Sequence, residues 1–116
     1  MKSGNLIVDL SFQFSLDIVK YIDRLDELRK YSMSKQLFNS GTSVGANVNE
    51  SQYGESKNDF IHKLKVAEKE AGETEYWLRI CLLSETYPDP GKLLEDIAVI
   101  RRVLGKIITS CRRNNS

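Results

Sequence analysis

Ser40-Gly41-Thr42-Ser43-Val44-Gly45-Ala46-Asn47 is the stretch from which the fold is read. Every residue in it is small or medium-sized, two are Gly, and all but Ala46 are mediocre or poor helix formers. The sequence on both sides nevertheless keeps a helical period. A helix built from such residues gains from small side chains where another backbone comes close. Gly41-x-x-x-Gly45 has the small-xxx-small spacing that allows this. The polar flanks exclude a membrane-embedded version. A phosphate-cradling loop is excluded as well, because no Lys-Ser or Lys-Thr follows Gly45 and no strand precedes it. Ser40, Gly41, Ser43, Val44, Gly45 and Asn47 are therefore read as a packing device.

Working outward, the period of 3 to 4 residues persists over nearly the whole chain. A first helix is expected over about residues 10–30, with Asp9 as N-cap. Its polar stripe is Gln13, Asp17, Lys20, Arg24, Glu27, and its apolar arc is wide enough to touch more than one neighbour. The second helix, about 34–53, places Leu37, Gly41, Val44 and Val48 on one face. Gln36, Ser40, Ser43 and Asn47 lie on the next, and Gly54 serves as a stop. The third, about 56–85, opens on the Ser56-x-x-Asp59 capping pattern. It carries the core face Phe60, Leu64, Ala67, Ala71, Thr74, Leu78, Cys81 and should project beyond its neighbours. The fourth, about 90–112, opens on Asp89-Pro90 and carries Leu93, Ile97, Ile100, Leu104, Ile107, Cys111, with a fraying tail from Arg112. Short connections between such helices give one domain over 1–116, an all-α antiparallel up-down four-helix bundle.

Composition narrows the function. Lys and Arg number 17 against 16 Asp and Glu, a net +1, so the chain as a whole is not a dedicated polyanion binder. The positive excess lies after Thr86. No signal peptide and no membrane-length apolar run is seen, and the two Cys have no CxxC spacing. A reducing cytoplasm is the expected location. Cys81 and Cys111 both face inward, but antiparallel geometry offsets them by roughly 20 Å along the axis, too far for a disulfide.

Candidate chemistry is sparse. His62, the single histidine, stands one turn from Asp59 but opposite the core face. A metal site in a bundle needs ligands from facing helices, and only this one Asp-x-x-His exists. Glu68, Glu70 and Glu73 point in different directions. Glu68 and Glu75 share a flank, and Lys65–Glu68 and Lys69–Glu73 offer local ion pairs. No nucleophile and base can be assembled, so no enzyme, cofactor or metal is expected. Asn49-Glu50-Ser51 is a chance sequon. Two surfaces remain. The last turns of the third helix are apolar almost all round, with Tyr76, Ile80 and Leu83 pointing away from the core face beside Trp77. These four are candidates for a subunit interface. Arg102, Lys106, Thr109 and Arg113 form an outward stripe on the fourth helix, flanked by Arg101 and Arg112. The five cations are candidates for binding RNA, DNA or an acidic partner, against the reading of an ordinary soluble face.

Several blocks in order also carry a family resemblance. They are Ser11-Phe12-x-Phe14, Gln36-Leu37, Ser40 to Asn47, Ser56-Lys57-x-Asp59-Phe60, and Lys69-Glu70-Ala71-x-Glu73-Thr74-Glu75-Tyr76-Trp77-Leu78. The chain resembles the four helix bundle proteins of bacteria, first noticed as reading frames in intervening sequences of 23S ribosomal RNA genes. That resemblance implies a barrel-like homopentamer without known enzymatic activity. The family is similar to the accessory variability determinant of diversity-generating retroelements, a basic pentamer that binds nucleic acid and a reverse transcriptase. This chain is less basic. The expectation is a homo-oligomer that binds nucleic acid or a nucleic-acid-processing protein, with a protein-interaction scaffold as the alternative.

Overall fold

The computed structural model describes residues 3–113, which form four helices and, among the described residues, no strand. They are α1 (Leu6–Glu27), α2 (Tyr31–Ser51), α3 (Lys57–Leu83) and α4 (Gly91–Arg113). Each packs on its chain neighbours and α1 also meets α4, while the backbones of the two diagonal pairs stay apart. Contacts run antiparallel. Gly45 faces Ser11 while Gly41 faces Ile18, and Arg101 meets Glu75 while Gly105 faces Glu68. The up-down bundle measures 49 × 24 × 22 Å. The α1–α4 seam is the most sparsely packed side.

The core is one continuous cluster that includes Phe14, Ile18, Leu25, Leu37, Val44, Leu64, Leu78, Ile97 and Leu104. The expected faces of the second and third helices are buried as read, apart from half-buried Phe60. In α4 the last step differs. Ile108 is buried, while Ile107 and Cys111 are only half-buried. Leu93 to Cys111 is 18 residues, five whole turns without net drift, so the change lies in which side of the last turns of α4 the neighbouring helices cover. Cys81 is buried, and both cysteines are free thiols. Burial raises the pKa of the Cys81 thiol. It also pushes the Tyr21 phenol far above its usual range, and the Cys81 side chain beside it acts the same way. Tyr21 instead donates to the Pro88 carbonyl at 2.6 Å, tying α1 to the α3–α4 connection.

The helix ends required several corrections. Asn5, not Asp9, caps α1, its Oδ1 accepting from the Val8 N–H. Asp9 lies in the first turn and accepts from the Ser3 N–H. Arg29 adopts φ 60°. The Arg29 N–H bonds to Asp26 O and the Lys30 N–H to Leu25 O, a Schellman closure that lets α2 start three residues earlier than expected. A non-glycine residue in this left-handed region costs roughly 1 kcal/mol. Arg29→Gly is therefore expected to raise the unfolding free energy by about 0.5–1 kcal/mol, read as an upward shift of the denaturant midpoint at constant m. Gly54 is not a left-handed stop, for the chain has already left α2 at Gln52. A Cβ there would instead lie 3.3 Å from the Phe60 backbone nitrogen, so Gly54 permits a close crossing. Ser56 caps α3 as expected, accepting from the Asp59 N–H at 3.1 Å. Asp89 Oδ1 accepts from the Gly91 N–H at 2.8 Å at the start of α4. α3 ends at Leu83 and α4 continues through Arg113; residues 114–116 of the expected tail lie outside the described residues.

The 40–47 block sits inside α2 between two neighbours. Ile18 of α1 covers Gly41 so closely that a Cβ there would stand 3.0–3.2 Å from three of its side-chain carbons. At Gly45 the obstacle is backbone, the Ser11 carbonyl oxygen at 3.0 Å. The poor helix formers recover hydrogen bonds locally: Thr42, Ser43 and Asn47 all donate to carbonyls one turn back. Ser40 faces α3, where its hydroxyl lies 2.9 Å from that of Thr74, itself 2.8 Å from Glu70 O. Thr74 has a single hydroxyl proton, so if it donates to Glu70 O, Ser40 donates to it. Both hydroxyls are buried. Thr74→Val strands Ser40 and should cost about 1–2 kcal/mol, whereas adding Ser40→Ala should recover most of that loss. A urea double-mutant cycle checks this.

Candidate nucleic-acid interface

The outward side of α4 is built by its own period. Leu104 is fully buried, so Arg102 and Lys106, two residues to either side, stand away from the core, and both are exposed. Gly105 between them leaves the surface low. A shallow hollow of about 540 Å³ lies over Arg101, Arg102, Gly105, Lys106, Thr109 and Arg113, with the Ser110 hydroxyl at its edge. Arg102 and Lys106 form no ion pair among the described residues. Arg101 does, holding Glu75 of α3 at 2.9 Å, so its charge is already committed. Arg112 is exposed near the end of the helix. The structure thus brings Arg101, Arg102, Lys106 and Arg113 to one hollow, with Thr109 and Ser110 supplying hydroxyl donors of the kind that satisfy phosphate oxygens.

The apolar candidates divide. Tyr76 and Leu83 are exposed at 58% and 81%, joined by Leu82. Trp77 and Ile80, however, are half-buried and pack against the core. The expectation that Ile80 points away from the core is therefore corrected. That end of the bundle is closed by the 84–90 connection, whose Tyr87 also packs on the core, so the covered surface reaches further round α3 than a helical wheel allows. Tyr76 meets Trp77 edge-on at 5.2 Å, and the Trp77 Nε1–H is buried without an acceptor.

A second apolar surface was not picked out from the sequence. Phe12, Leu16 and Val19 form an exposed row on α1, with exposed Phe38 on α2. A hollow of about 460 Å³ beside it is lined by Val8, Phe12, Ser15, Gly45, Ala46 and Asn49. The signal was present in the wide apolar arc of the first helix. An up-down bundle gives α1 only α2 and α4 to cover that arc, and this row stays exposed beside α2, with Phe12 on the hollow the two helices share.

The remaining polar candidates stay apart. His62 is exposed. Among the described residues Lys65–Glu68 and Lys69–Glu73 do not pair, whereas Lys63–Glu50, Lys92–Asp96 and Arg101–Glu75 do. Burial raises the Glu70 pKa, and the charge of Glu73 adds to it. Among the described residues no group of three or more His, Cys, Asp or Glu could hold a metal ion. No described helix is long and apolar enough to cross a membrane.

The fold and its surfaces define a small up-down four-helix bundle with a basic outer helix and uncovered apolar rows. Residues 4–106 match the 23S rRNA-intervening sequence protein family, to which this chain belongs. A solved structure from Bacteroides thetaiotaomicron VPI-5482, described as a protein of unknown function from the S23 ribosomal protein family, is 39% identical. The match covers 88% of this chain and 97% of that one, with a TM-score of 0.84. No curated protein is significantly similar to the chain.

Proposed function

We propose that this is a non-enzymatic, homo-oligomeric bundle protein of the cytoplasm that binds nucleic acid, or a nucleoprotein, through the outward side of α4. One observation carries the binding: Arg102 and Lys106 stand exposed over a low, hydroxyl-edged hollow, and neither forms an ion pair among the described residues. Cations left unpaired in this way are available to phosphates. The oligomer is supported by the two apolar surfaces, Tyr76–Leu82–Leu83 and Phe12–Leu16–Val19. They are unlike each other and sit on different helices, which suits a head-to-tail ring, such as the pentamer of the family resemblance, better than a two-fold dimer. Repetition round a ring multiplies a weak site.

Mobility shift against RNA and DNA at low and physiological salt tests the binding. A shift that weakens steeply with salt is expected, and no shift at low salt overturns it. Light scattering tests the assembly, where a ~13 kDa monomer at micromolar concentration overturns the oligomer. The second reading, an interaction scaffold without nucleic-acid affinity, is favoured by the apolar hollow at Gly45 and Ala46. It predicts an oligomer that shifts no nucleic acid.

A further inference from the structure

The uncovered rows on α1 and α3 carry opposite charge. On α1, Asp9, Phe12, Leu16, Val19 and Asp23 follow one another at steps of 3, 4, 3 and 4, which keeps them on one side of the helix. Asp9 is half-buried and the other four are exposed. On α3, Lys65, Lys69, Tyr76 and Leu83 lie at steps of 4, 7 and 7 along the outer side, and Arg79 stands about one turn after Tyr76. All five are exposed. Among the described residues none of Asp9, Asp23, Lys65, Lys69 and Arg79 forms an ion pair. Lys20, and Lys35 one turn from Phe38 on α2, stand at the margins of the first row, and Glu73 at the margin of the second. The α1 row is thus apolar between two acids, and the α3 row is apolar and basic.

The heights of the charges match as well. Gly41 of α2 lies against Ile18 of α1, and its neighbour Ser40 meets Thr74 of α3. Ile18 is therefore level with about Glu73. α1 and α3 run in the same direction with the same rise per residue, so Asp9 stands level with Lys65, Leu16 with Gly72, Val19 with Tyr76 and Asp23 with Arg79, each within two residues or about 3 Å. The two helices are diagonal in the bundle, so the rows look to different sides and cannot meet within one chain. Two-fold pairing of either row with itself sets like charges together. About Leu16 it places Asp9 opposite Asp23, and about Gly72 it places Lys65 opposite Arg79; such facing of like charges is costly. Head-to-tail pairing does the reverse. Round a closed ring whose axis runs along the bundle, neighbouring copies keep the same height, and each acid of α1 then comes to a cation of the next copy's α3.

We propose that the outer row of α1 is a docking surface for the outer row of α3 of a second copy of this chain. Leu16 and Val19 pack against Gly72 and Tyr76, and the pairs Asp9–Lys65 and Asp23–Arg79 close the two ends of the contact. Gly72 gives Leu16 room that a larger residue would fill. This rests on the oligomer reading above and adds to it which surface meets which, in what register, and why the contact is head-to-tail.

The test is a charge swap read by sedimentation velocity and light scattering on the full chain over a range of concentrations. Asp23→Arg alone and Arg79→Asp alone should each weaken self-association at least about 10-fold, with the helical circular dichroism signal unchanged because both side chains are exposed. The double variant restores an opposite-charge pair and should recover most of the wild-type association. Association at wild-type strength in both single variants overturns the proposal, as does a double variant no stronger than the weaker single. If either occurs while the wild type assembles, the oligomer reading survives and only the α1–α3 pairing fails. A wild type that remains a ~13 kDa monomer leaves both rows to some other protein, and both readings fail.

Discussion

Gly41→Leu is expected to lower the unfolding free energy by about 3 kcal/mol or more and the thermal midpoint by roughly 10–15 °C. Even the first added carbon would meet Cγ1, Cδ1 and Cγ2 of Ile18 at 3.0–3.2 Å. Ile18 is fully buried at the centre of α1, so it has no empty volume into which to swing. The remaining three carbons must then force α1 and α2 apart. The better helix propensity of Leu returns only about 0.8 kcal/mol, too little to offset the overpacking. Gly41→Ala should lie between wild type and Leu. Gly45→Ala should be worse than its size suggests, because its obstacle is the Ser11 carbonyl, which moves only with the helix. Calorimetry on the three variants checks the order, and a Leu variant melting within about 3 °C of wild type would contradict the packing role of the block.

Arg102→Glu with Lys106→Glu is expected to weaken nucleic-acid binding about 100-fold at low salt and to remove most of its salt dependence. Each cation held against a phosphate contributes about 0.9 to the slope of log K against log salt, so two lost contacts remove about 1.8. Each new carboxylate adds a repulsion that low salt does not screen. The folded state should not notice. Both side chains are exposed and form no ion pair among the described residues, and exposed charges away from a network contribute little to stability. An unchanged melting curve with lost binding is the expected combination. Binding retained at wild-type strength would remove α4 as the site.

The repeated spacing of Leu64, Ala67, Ala71, Thr74 and Leu78 was enough to read α3 and its buried side, because burial of one stripe is what holds a helix of this length in water. The Gly41-x-x-x-Gly45 block was likewise legible as a packing surface, since side-chain volume is a local property. Ends were less legible. The Schellman closure at Arg29 uses a residue with no local preference for a left-handed backbone, so no glycine marked it. It is held by the packing of the two helices it joins. Gly54 shows the converse, a glycine that looks like a stop and serves a close crossing.

The candidate site divides in the same way. The outward stripe Arg102, Lys106, Thr109 follows from the period of one helix, and no neighbour alters it. Whether each cation is available depends on what a different helix brings alongside. Arg101 is engaged because Glu75, 26 residues away, lies against it, while Lys65 and Lys69, expected to pair locally, form no ion pair among the described residues. Ile80 is half-buried against the core, and Phe12, Leu16 and Val19 are left bare because α1 has only two neighbours. Helical period is a property of consecutive residues and can be read along the chain. Pairing and exposure depend on which surfaces the bundle brings together, and those distances exist only once all four helices are in place.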